Sequence, residues 1–249
     1  MSDHPAPLTG ISKAYKNSEF LASPNARVIR LLSEYLEPDA RFERLNVEDT
    51  IVFFGSARAK ADGSGDARLA AAFQAAEELA YRMTLWSKGL NHGKHRFIVC
   101  SGGGPGIMEA ANRGASRARG LSMGLGISLP MEQGVNGYVS RELAFEFHYF
   151  FMRKFWFVNL SRALVVFPGG FGTMDELFEV LTLLQTRKAS RQRPVVLYGK
   201  AFWEKAINWD VYAEWGVINR EDLQLFRIVD SVDEAFDHLT SELTRIHGL

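Results

Sequence analysis

The sequence predicts an α/β fold in which a doubly wound parallel β-sheet is covered by helices on both faces. Short apolar runs rich in β-branched residues alternate with stretches of helical periodicity along most of the 249 residues. Two of these runs are followed directly by glycine clusters, at 101–106 and 168–172, and a helical pattern follows each cluster. This succession is typical of parallel sheets, whose ligands bind outside the carboxyl ends of the strands.

An N-terminal extension, residues 1–45, is expected to precede a single domain at 46–249. Residues 1 to about 22 are polar and contain proline, which predicts a mobile arm. A helix should begin with Ser23 as its cap and Pro24 at its first position, and should end at Pro38. The apolar side chains predicted to form its buried stripe are Val28, Leu31, Leu32, Tyr35 and Leu36.

Within the domain, each strand is predicted from an apolar run and each helix from periodic apolar positions. The strands are expected at 50–54, 96–100, 121–129, 143–147, 163–167, 194–198 and 226–229. The helices are expected at 67–88, 107–119, 149–158, from 173 onward, 202–215 and 232–246. The helix at 149–158 is apolar on almost every face, which indicates burial or a subunit interface.

The most informative stretch is PGGFGTMDE at 168–176, which follows a β-branched run. Its glycines allow a ligand to approach the backbone closely. Thr173 is a suitable N-cap, and the free N–H groups of a helix start bind phosphate. The lysine of a P-loop and the third glycine of a dinucleotide fingerprint are both missing. Alternatively, Thr173 and Glu176 form a capping box in which Glu176 only satisfies the Thr173 N–H, and the two roles can coexist.

Two cations, Arg153 and Lys154, lie in the apolar helix. A buried cation without an anionic partner is unstable, so each requires a carboxylate or a bound phosphate. The planar fork of an arginine suits either partner. An intersubunit salt bridge or a side chain reaching out to solvent is the alternative, which we favour for Lys154 but not for Arg153.

Composition and charge exclude several classes of partner. Lys and Arg balance Asp and Glu at 29 each, which argues against a nucleic-acid polymer or an anionic membrane as the main partner. The single cysteine, Cys100, excludes an intramolecular disulfide and a multi-cysteine metal site, and a buried, inert thiol is expected. No apolar run is long enough to span a bilayer, and the N-terminus lacks a signal-peptide pattern. A cytoplasmic protein is expected.

The sequence resembles the LOG (Lonely Guy) family, which comprises cytokinin riboside 5′-monophosphate phosphoribohydrolases and related bacterial nucleotide nucleosidases. The resemblance rests on Arg153 and Lys154 followed by the motif at 168–176, and on SGGGPGIMEA at 101–110. It covers about residues 50–198. It implies a Rossmann-like fold, a homodimer or larger homo-oligomer, and hydrolysis of a nucleoside 5′-monophosphate to free base and ribose 5-phosphate. Neither a cofactor nor a metal ion is expected.

The resemblance also implies roles for individual residues. Arg153 and Glu176 match the catalytic arginine and glutamate of the family. The implied substrate is AMP, an N6-modified adenosine monophosphate, or both. The base preference stays undefined, because Leu181 stands where plant members have a substrate-contacting threonine. The residues implied to bind substrate are Ser101, Gly102, Gly103, Glu109, Glu132, Lys154, Gly169, Gly170, Phe171, Gly172, Thr173, Met174 and Asp175.

These residue types suit cleavage of an N-glycosidic bond. Positive charge develops on the ribose, and a carboxylate such as Glu176 can both stabilise that charge and activate a water. Arg153 can hold the phosphate or orient Glu176, and it should keep Glu176 ionised. The acid that protonates the leaving base is not identified. Asp175 and Glu179 are candidates, although first-turn acids also favour the helix dipole.

The sequence leaves two rival functions open. A nucleotide or cofactor carrier would share both glycine loops, but a pure binder does not need the Glu176 carboxylate beside Arg153. Sequences of this type have also carried a lysine decarboxylase label. That chemistry requires a lysine that forms a Schiff base with pyridoxal phosphate, and no strand-borne lysine is suited to it.

Overall fold

Seven parallel strands form the central sheet over the residues that the computed structural model describes, which are 9–90, 93–128, 134–189 and 192–249. Their order is β4-β3-β2-β1-β5-β6-β7, and every neighbouring pair is parallel. The strands are β1 (Thr50–Phe54), β2 (Ile98–Ser101), β3 (Ser122–Ile127), β4 (Ala144–Phe147), β5 (Ser161–Val166), β6 (Val195–Tyr198) and β7 (Arg227–Val229). The predicted Rossmann-like α/β fold is confirmed.

Helices cover both faces of this sheet. In the described ranges they are α1 (Ser18–Ala22), α2 (Arg27–Arg44), α3 (Ala67–Gly89), α4 (Ile107–Arg117), α5 (Phe150–Leu160), α6 (Phe171–Gln185), α7 (Lys200–Ala206), α8 (Trp209–Glu214) and α9 (Val232–His247). Buried side chains of α3, α4 and α9 pack on one face, and those of α2, α5, α6 and α7 pack on the other. No helix in these ranges is long and apolar enough to cross a membrane.

The loops that follow β1 and β5 meet at the middle of the sheet, where the strand order reverses direction. The Ser56 N–H donates to the Pro168 carbonyl at 3.0 Å, and the Ile107 N–H donates to the Ser56 carbonyl at the same distance. Gly106 has φ +73°, and a Cβ there would lie 2.2 Å from the Ser56 oxygen, so only glycine fits. Three loops are thereby held together at the edge where such sheets bind ligands.

The N-terminal extension differs from its prediction in three respects. The α-helix starts at Arg27, after a 3₁₀ turn at Pro24–Ala26, and the Ser23 side chain makes no capping hydrogen bond. Helix α2 does not end at Pro38 but continues to Arg44. The apolar stripe predicted to be buried is mostly exposed, with Val28 at 65% and Leu36 at 57% of their full accessibility, because none of the described residues covers that side of α2. Residues 1–8 of the expected arm lie outside the described residues, and short helical segments at Ala14–Lys16 and Ser18–Ala22 occupy part of the remainder.

Helix α2 continues through Pro38 because the carbonyl that the proline leaves unpaired has another donor. A proline inside a helix leaves the carbonyl four residues earlier without its N–H partner. Here that carbonyl belongs to Glu34, and it accepts a hydrogen bond from the Trp156 indole at 3.0 Å. The Glu34 carboxylate also accepts from the backbone N–H groups of His148 and Tyr149, at 2.7 and 3.3 Å. Glu34 of α2 therefore forms hydrogen bonds both to the residues just before α5 and to the middle of that helix.

The remaining predictions hold within a few residues, with one interruption. The helix expected at 202–215 is two helices, α7 and α8, which are separated by Ile207 and Asn208. The strand expected at 121–129 is β3, which ends at Ile127, and residue 129 lies outside the described residues. Cys100 is buried as expected, and burial raises the pKa of its thiol.

Candidate active site

A cavity of about 1480 Å³ opens at the carboxyl edge of the sheet. The loops after β1, β2 and β5 contribute to its wall, and Arg153 of α5 and Glu176 of α6 line it from one face of the sheet. This is the edge at which doubly wound sheets bind ligands. Both glycine loops singled out in the sequence contribute to the same cavity, through Gly102 and Gly104 from one and 168–172 from the other.

The expected phosphate loop does lead into a helix, but the helix starts earlier than predicted. Helix α6 begins at Phe171 with Gly170 as its N-cap residue, so Thr173 is not the cap. The Thr173 side chain instead covers Gly169, where a Cβ would lie 2.1 Å from Thr173 Oγ1. The first N–H groups of α6 therefore come from 171–173, and they have no partners within the helix, which favours an anion at this position.

Glu176 is buried beside Arg153, and it does not serve as a helix cap. Its side chain approaches the Arg153 guanidinium at 3.4 Å, from Oε1 to a terminal nitrogen. The residue is only 5% exposed. The guanidinium also lies over the rings of Phe150 and Phe157, at 5.1 and 5.7 Å. Its Nε is buried without a hydrogen-bond partner in the described structure.

Burial dominates the protonation of this pair. Desolvation raises the pKa of Glu176 from an ordinary 4.5 to about 7, although Arg153 and Lys154 oppose the shift. Desolvation also lowers the pKa of Arg153, and Glu176 opposes that shift. The expectation that Arg153 keeps Glu176 ionised is therefore only half right, because the carboxyl titrates near neutral pH.

Lys154 forms a separate ion cluster. Its Nζ lies 2.7 Å from an Asp175 oxygen and 2.9 Å from a Glu179 oxygen. These three residues do not line the cavity. The structure therefore does not bring Lys154 and Asp175 together with Arg153 and Glu176 on the ligand side, and it gives Asp175 and Glu179 a cation to bind instead of a leaving base.

The Ser101 side chain is hydrogen-bonded within the first glycine loop and to helix α4. Its hydroxyl donates to Asn112 Oδ1 at 2.7 Å and accepts from the Gly103 N–H at 3.0 Å. Gly102 lines the cavity, whereas the buried Ser101 and Gly103 do not. Glu109, in the first turn of α4, is half-buried and lies outside the lining. Glu132 lies outside the described residues.

The family model described as "Possible lysine decarboxylase" matches residues 108–239, which is more than half of the chain. The protein belongs to this family, within the LOG superfamily. The match includes Arg153, Glu176 and the loop at 168–172.

Solved structures resemble this LOG-superfamily protein at low sequence identity. The molybdenum cofactor binding protein of Rippkaea orientalis is 20% identical, with 79% of this chain and 98% of that chain covered and a TM-score of 0.51. A structural-genomics target is 22% identical, with 78% and 99% covered and a TM-score of 0.54. Both likenesses show the shared fold. No curated protein matches the sequence significantly.

The LOG-superfamily protein also uses residues that sequence reasoning missed. Asn136 donates from its side-chain amide to the carbonyls of Gly103 and Gly104 and to Asn112 Oδ1, at 3.0, 3.2 and 3.0 Å. This amide network fixes the first glycine loop. Asparagine in a loop carries no signal that could have identified it. In the part of the chain that the structure describes, no group of three or more His, Cys, Asp or Glu side chains is placed to hold a metal ion.

Proposed function

We propose that the protein hydrolyses the N-glycosidic bond of nucleoside 5′-monophosphates in the cytoplasm and releases free base and ribose 5-phosphate. AMP and N6-modified adenosine monophosphates such as cytokinin riboside monophosphates are the proposed substrates. The observation that carries the proposal is the buried carboxyl of Glu176. It faces Arg153 in the same cavity as a glycine loop and a helix start suited to phosphate.

The proposed mechanism starts with the 5′-phosphate at the first turn of α6. The ribose then lies near Glu176, whose carboxylate stabilises the positive charge that develops as the bond to the base breaks. Glu176 takes a proton from the attacking water, and the resulting hydroxide bonds to the anomeric carbon. Because its pKa is about 7, the protonated carboxyl can return that proton to the departing base. Lys154 holds Asp175 and Glu179, which supports Glu176 as the group that moves the proton.

A carrier without catalysis is the alternative. It is supported by the size of the cavity and by the likeness of the fold to a molybdenum cofactor binding protein. The buried Glu176 argues against it. A carboxylate near a phosphate loop weakens binding of an anion, and a carrier has no chemistry that requires one.

Lysine decarboxylation would require pyridoxal phosphate on a lysine. Lys205 is the one lysine among the described residues that line the cavity, and it is exposed on the short helix α7. Lys154 is held by two carboxylates outside the lining. Neither side chain is placed as a desolvated Schiff-base lysine, so these residues do not fit that cofactor.

A panel of nucleoside 5′-monophosphates tests the function directly. The protein is incubated with AMP, GMP, CMP, UMP and N6-isopentenyladenosine monophosphate, and free base and ribose 5-phosphate are quantified by chromatography. We expect equal amounts of both products from at least one purine nucleotide. Tight binding without any product would favour the carrier, whereas CO₂ release from lysine would contradict both readings.

The pH dependence follows from the shifted pKa of Glu176. Below pH 7 the free protein holds this carboxyl mostly protonated, so it cannot accept a proton from water. Above pH 7 it is mostly ionised. We therefore expect kcat/KM for AMP to rise tenfold per pH unit below about pH 7 and to level off above it. A rate that falls through the same range would assign Glu176 the role of initial proton donor instead.

We further propose that the protein is a homodimer or a larger homo-oligomer. Exposed apolar side chains of α2 and α5 form one surface, since Tyr35 packs against both Phe155 and Trp156 with ring centroids 5.6 and 5.4 Å apart. The side chains of this α2–α5 face are Val28, Ile29, Leu32, Tyr35, Leu36, Phe151 and Phe155. An apolar surface of this kind marks an interaction site, and closed two-fold pairs are the most common solution.

Light scattering coupled to gel filtration measures the assembly. We expect the wild type to have twice the 27.9 kDa mass of one chain, or more. Leu32→Glu should reduce the measured mass to that of one chain, because burying an unpaired charge in an apolar contact is energetically costly. Leu85→Glu introduces the same charge at an exposed leucine of α3 and should leave the mass unchanged. A wild-type monomer at micromolar concentration would contradict the proposal.

A further inference from the structure

The cavity is longer than a nucleoside monophosphate requires. Its wall includes Gly126 and Ile127, the last two residues of β3, at one end and Asp230 after β7 at the other. Strands β3, β2, β1, β5, β6 and β7 lie in that order, so the cavity crosses five inter-strand spacings, or about 24 Å. Its volume of about 1480 Å³ also exceeds the roughly 300–1,000 Å³ of ordinary small-ligand pockets. A substrate with its phosphate on α6 and its ribose at Glu176 occupies only one part of this space.

The remaining part lies beyond Pro168, where Gly199 approaches the proline ring. A Cβ on Gly199 would lie 3.4 Å from Pro168 Cγ. The loops after β1, β6 and β7 and the first turn of α3 enclose this space. We call it the distal lobe, and its side chains are those of Arg58, Arg68, Tyr198, Phe202, Lys205 and Asp230. It is continuous with the glycine loop at 168–172, so a group attached to the bound phosphate can extend into it.

The distal lobe offers positive charge that the protein does not neutralise. Arg68 is paired with Asp66, and the Asp230 carboxylate accepts from the Lys200 N–H at 2.7 Å. By contrast, Arg58 and Lys205 form no ion pair within the described residues. Two cations without an ion-pair partner among the described residues, Arg58 and Lys205, therefore line this lobe against one carboxylate, that of Asp230, which is bound only by a backbone N–H.

We propose that the distal lobe binds a second phosphate group, so that the preferred ligands are nucleoside 5′-diphosphates or their 5′-phosphodiester derivatives. This inference rests on the proposed function for the position of the first phosphate. Arg58 and Lys205 would each donate to the second phosphate. The aromatic faces of Tyr198 and Phe202 border the same lobe and can pack against a group that continues beyond it. The N-glycosidic bond to be broken stays the same.

Calorimetric titration of the Glu176→Gln variant tests the second site without turnover. The ligands are AMP, ADP and ADP-ribose. We expect ADP to bind about tenfold or more tightly than AMP, which is the scale of one hydrogen bond to a charged group. The double variant Arg58→Ala/Lys205→Ala, added to Glu176→Gln, should bring the ratio of the two affinities close to one. Both side chains are exposed, so their truncation leaves the core intact.

Lys60→Ala is the matched control. Lys60 is an exposed cation in the same β1–α3 loop that does not line the cavity, and its loss should leave the ADP-to-AMP ratio unchanged. The affinity for ADP-ribose distinguishes the two classes of ligand. Binding as tight as that of ADP indicates a phosphodiester, and much weaker binding indicates a terminal diphosphate.

Equal affinities for AMP and ADP, or an ADP preference that survives in the double variant, would overturn the second site. The outcome is separate from that of the proposed function. Wild-type hydrolysis of AMP without any ADP preference removes only the second site. An ADP preference that depends on Arg58 and Lys205 in a protein that releases no base removes only the catalysis.

Discussion

Glu176→Gln should reduce base release from AMP by several orders of magnitude while the affinity for AMP stays within a few-fold of the wild type. Glutamine keeps the size of the side chain but cannot accept the proton of water, and loss of acid–base catalysis alone is worth roughly 10²–10⁴. Loss of the negative charge that faces the developing ribose cation adds to this, by roughly 10²–10³. The measurement is single-turnover release of ribose 5-phosphate.

Glu179→Gln is the control for this substitution. Glu179 lies on the same helix one turn later, and it binds Lys154 outside the cavity. Its substitution should change the rate by less than an order of magnitude, even though the change in charge is the same. If Glu176→Gln released ribose 5-phosphate at a near-native rate, that result would falsify the catalytic role and favour the carrier.

Arg153→Ala should have the second largest effect, on both affinity and rate. Arg153 lines the same cavity as the start of α6, and a guanidinium there can bind a phosphate. Loss of a charged hydrogen bond should weaken AMP binding by roughly 10–100-fold. The rise of kcat/KM with pH should also move above pH 7, because Arg153 opposes the upward shift of the Glu176 pKa and its removal leaves only Lys154 to oppose the effect of burial.

Arg153→Lys separates charge from geometry. A lysine keeps the positive charge but lacks the planar fork. We expect the pH midpoint to stay near that of the wild type while AMP affinity still falls. If neither variant changed the affinity or the pH profile, Arg153 would be a packing residue, held over Phe150 and Phe157 by its contacts with their rings.

The fold could be predicted from the sequence because the strands that form its centre are buried on both sides. Strand β1 spans the predicted residues 50–54, and all five are buried. Such a strand shows as an unbroken apolar run. The predicted burial of the apolar stripe of α2 was wrong because that stripe does not pack against the sheet. Its periodicity correctly indicates an amphipathic helix, but periodicity cannot say whether the apolar side meets the same chain.

The site could be predicted in part. Resemblance to a known family selected Arg153 and Glu176, which are 23 positions apart and form an ion pair. The N-cap of α6 was predicted three residues late, at Thr173, since Gly170 has no side chain to signal a cap. Burial of Glu176 could not be foreseen, because it depends on how α5 and α6 pack. The distal lobe depends on the placement of α3 and α7, about which neighbouring residues in the sequence carry no information.

Glu34 gives the N-terminal extension a place in the energetics of the active site. The residue joins α2, which carries much of the exposed apolar face, to the first turn of α5, which carries Arg153. These hydrogen bonds provide a route by which binding on α2 and binding at Arg153 can be coupled. Linkage is reciprocal: if a partner on α2 changes the affinity for a ligand at Arg153, that ligand changes the affinity of α2 for its partner by the same factor.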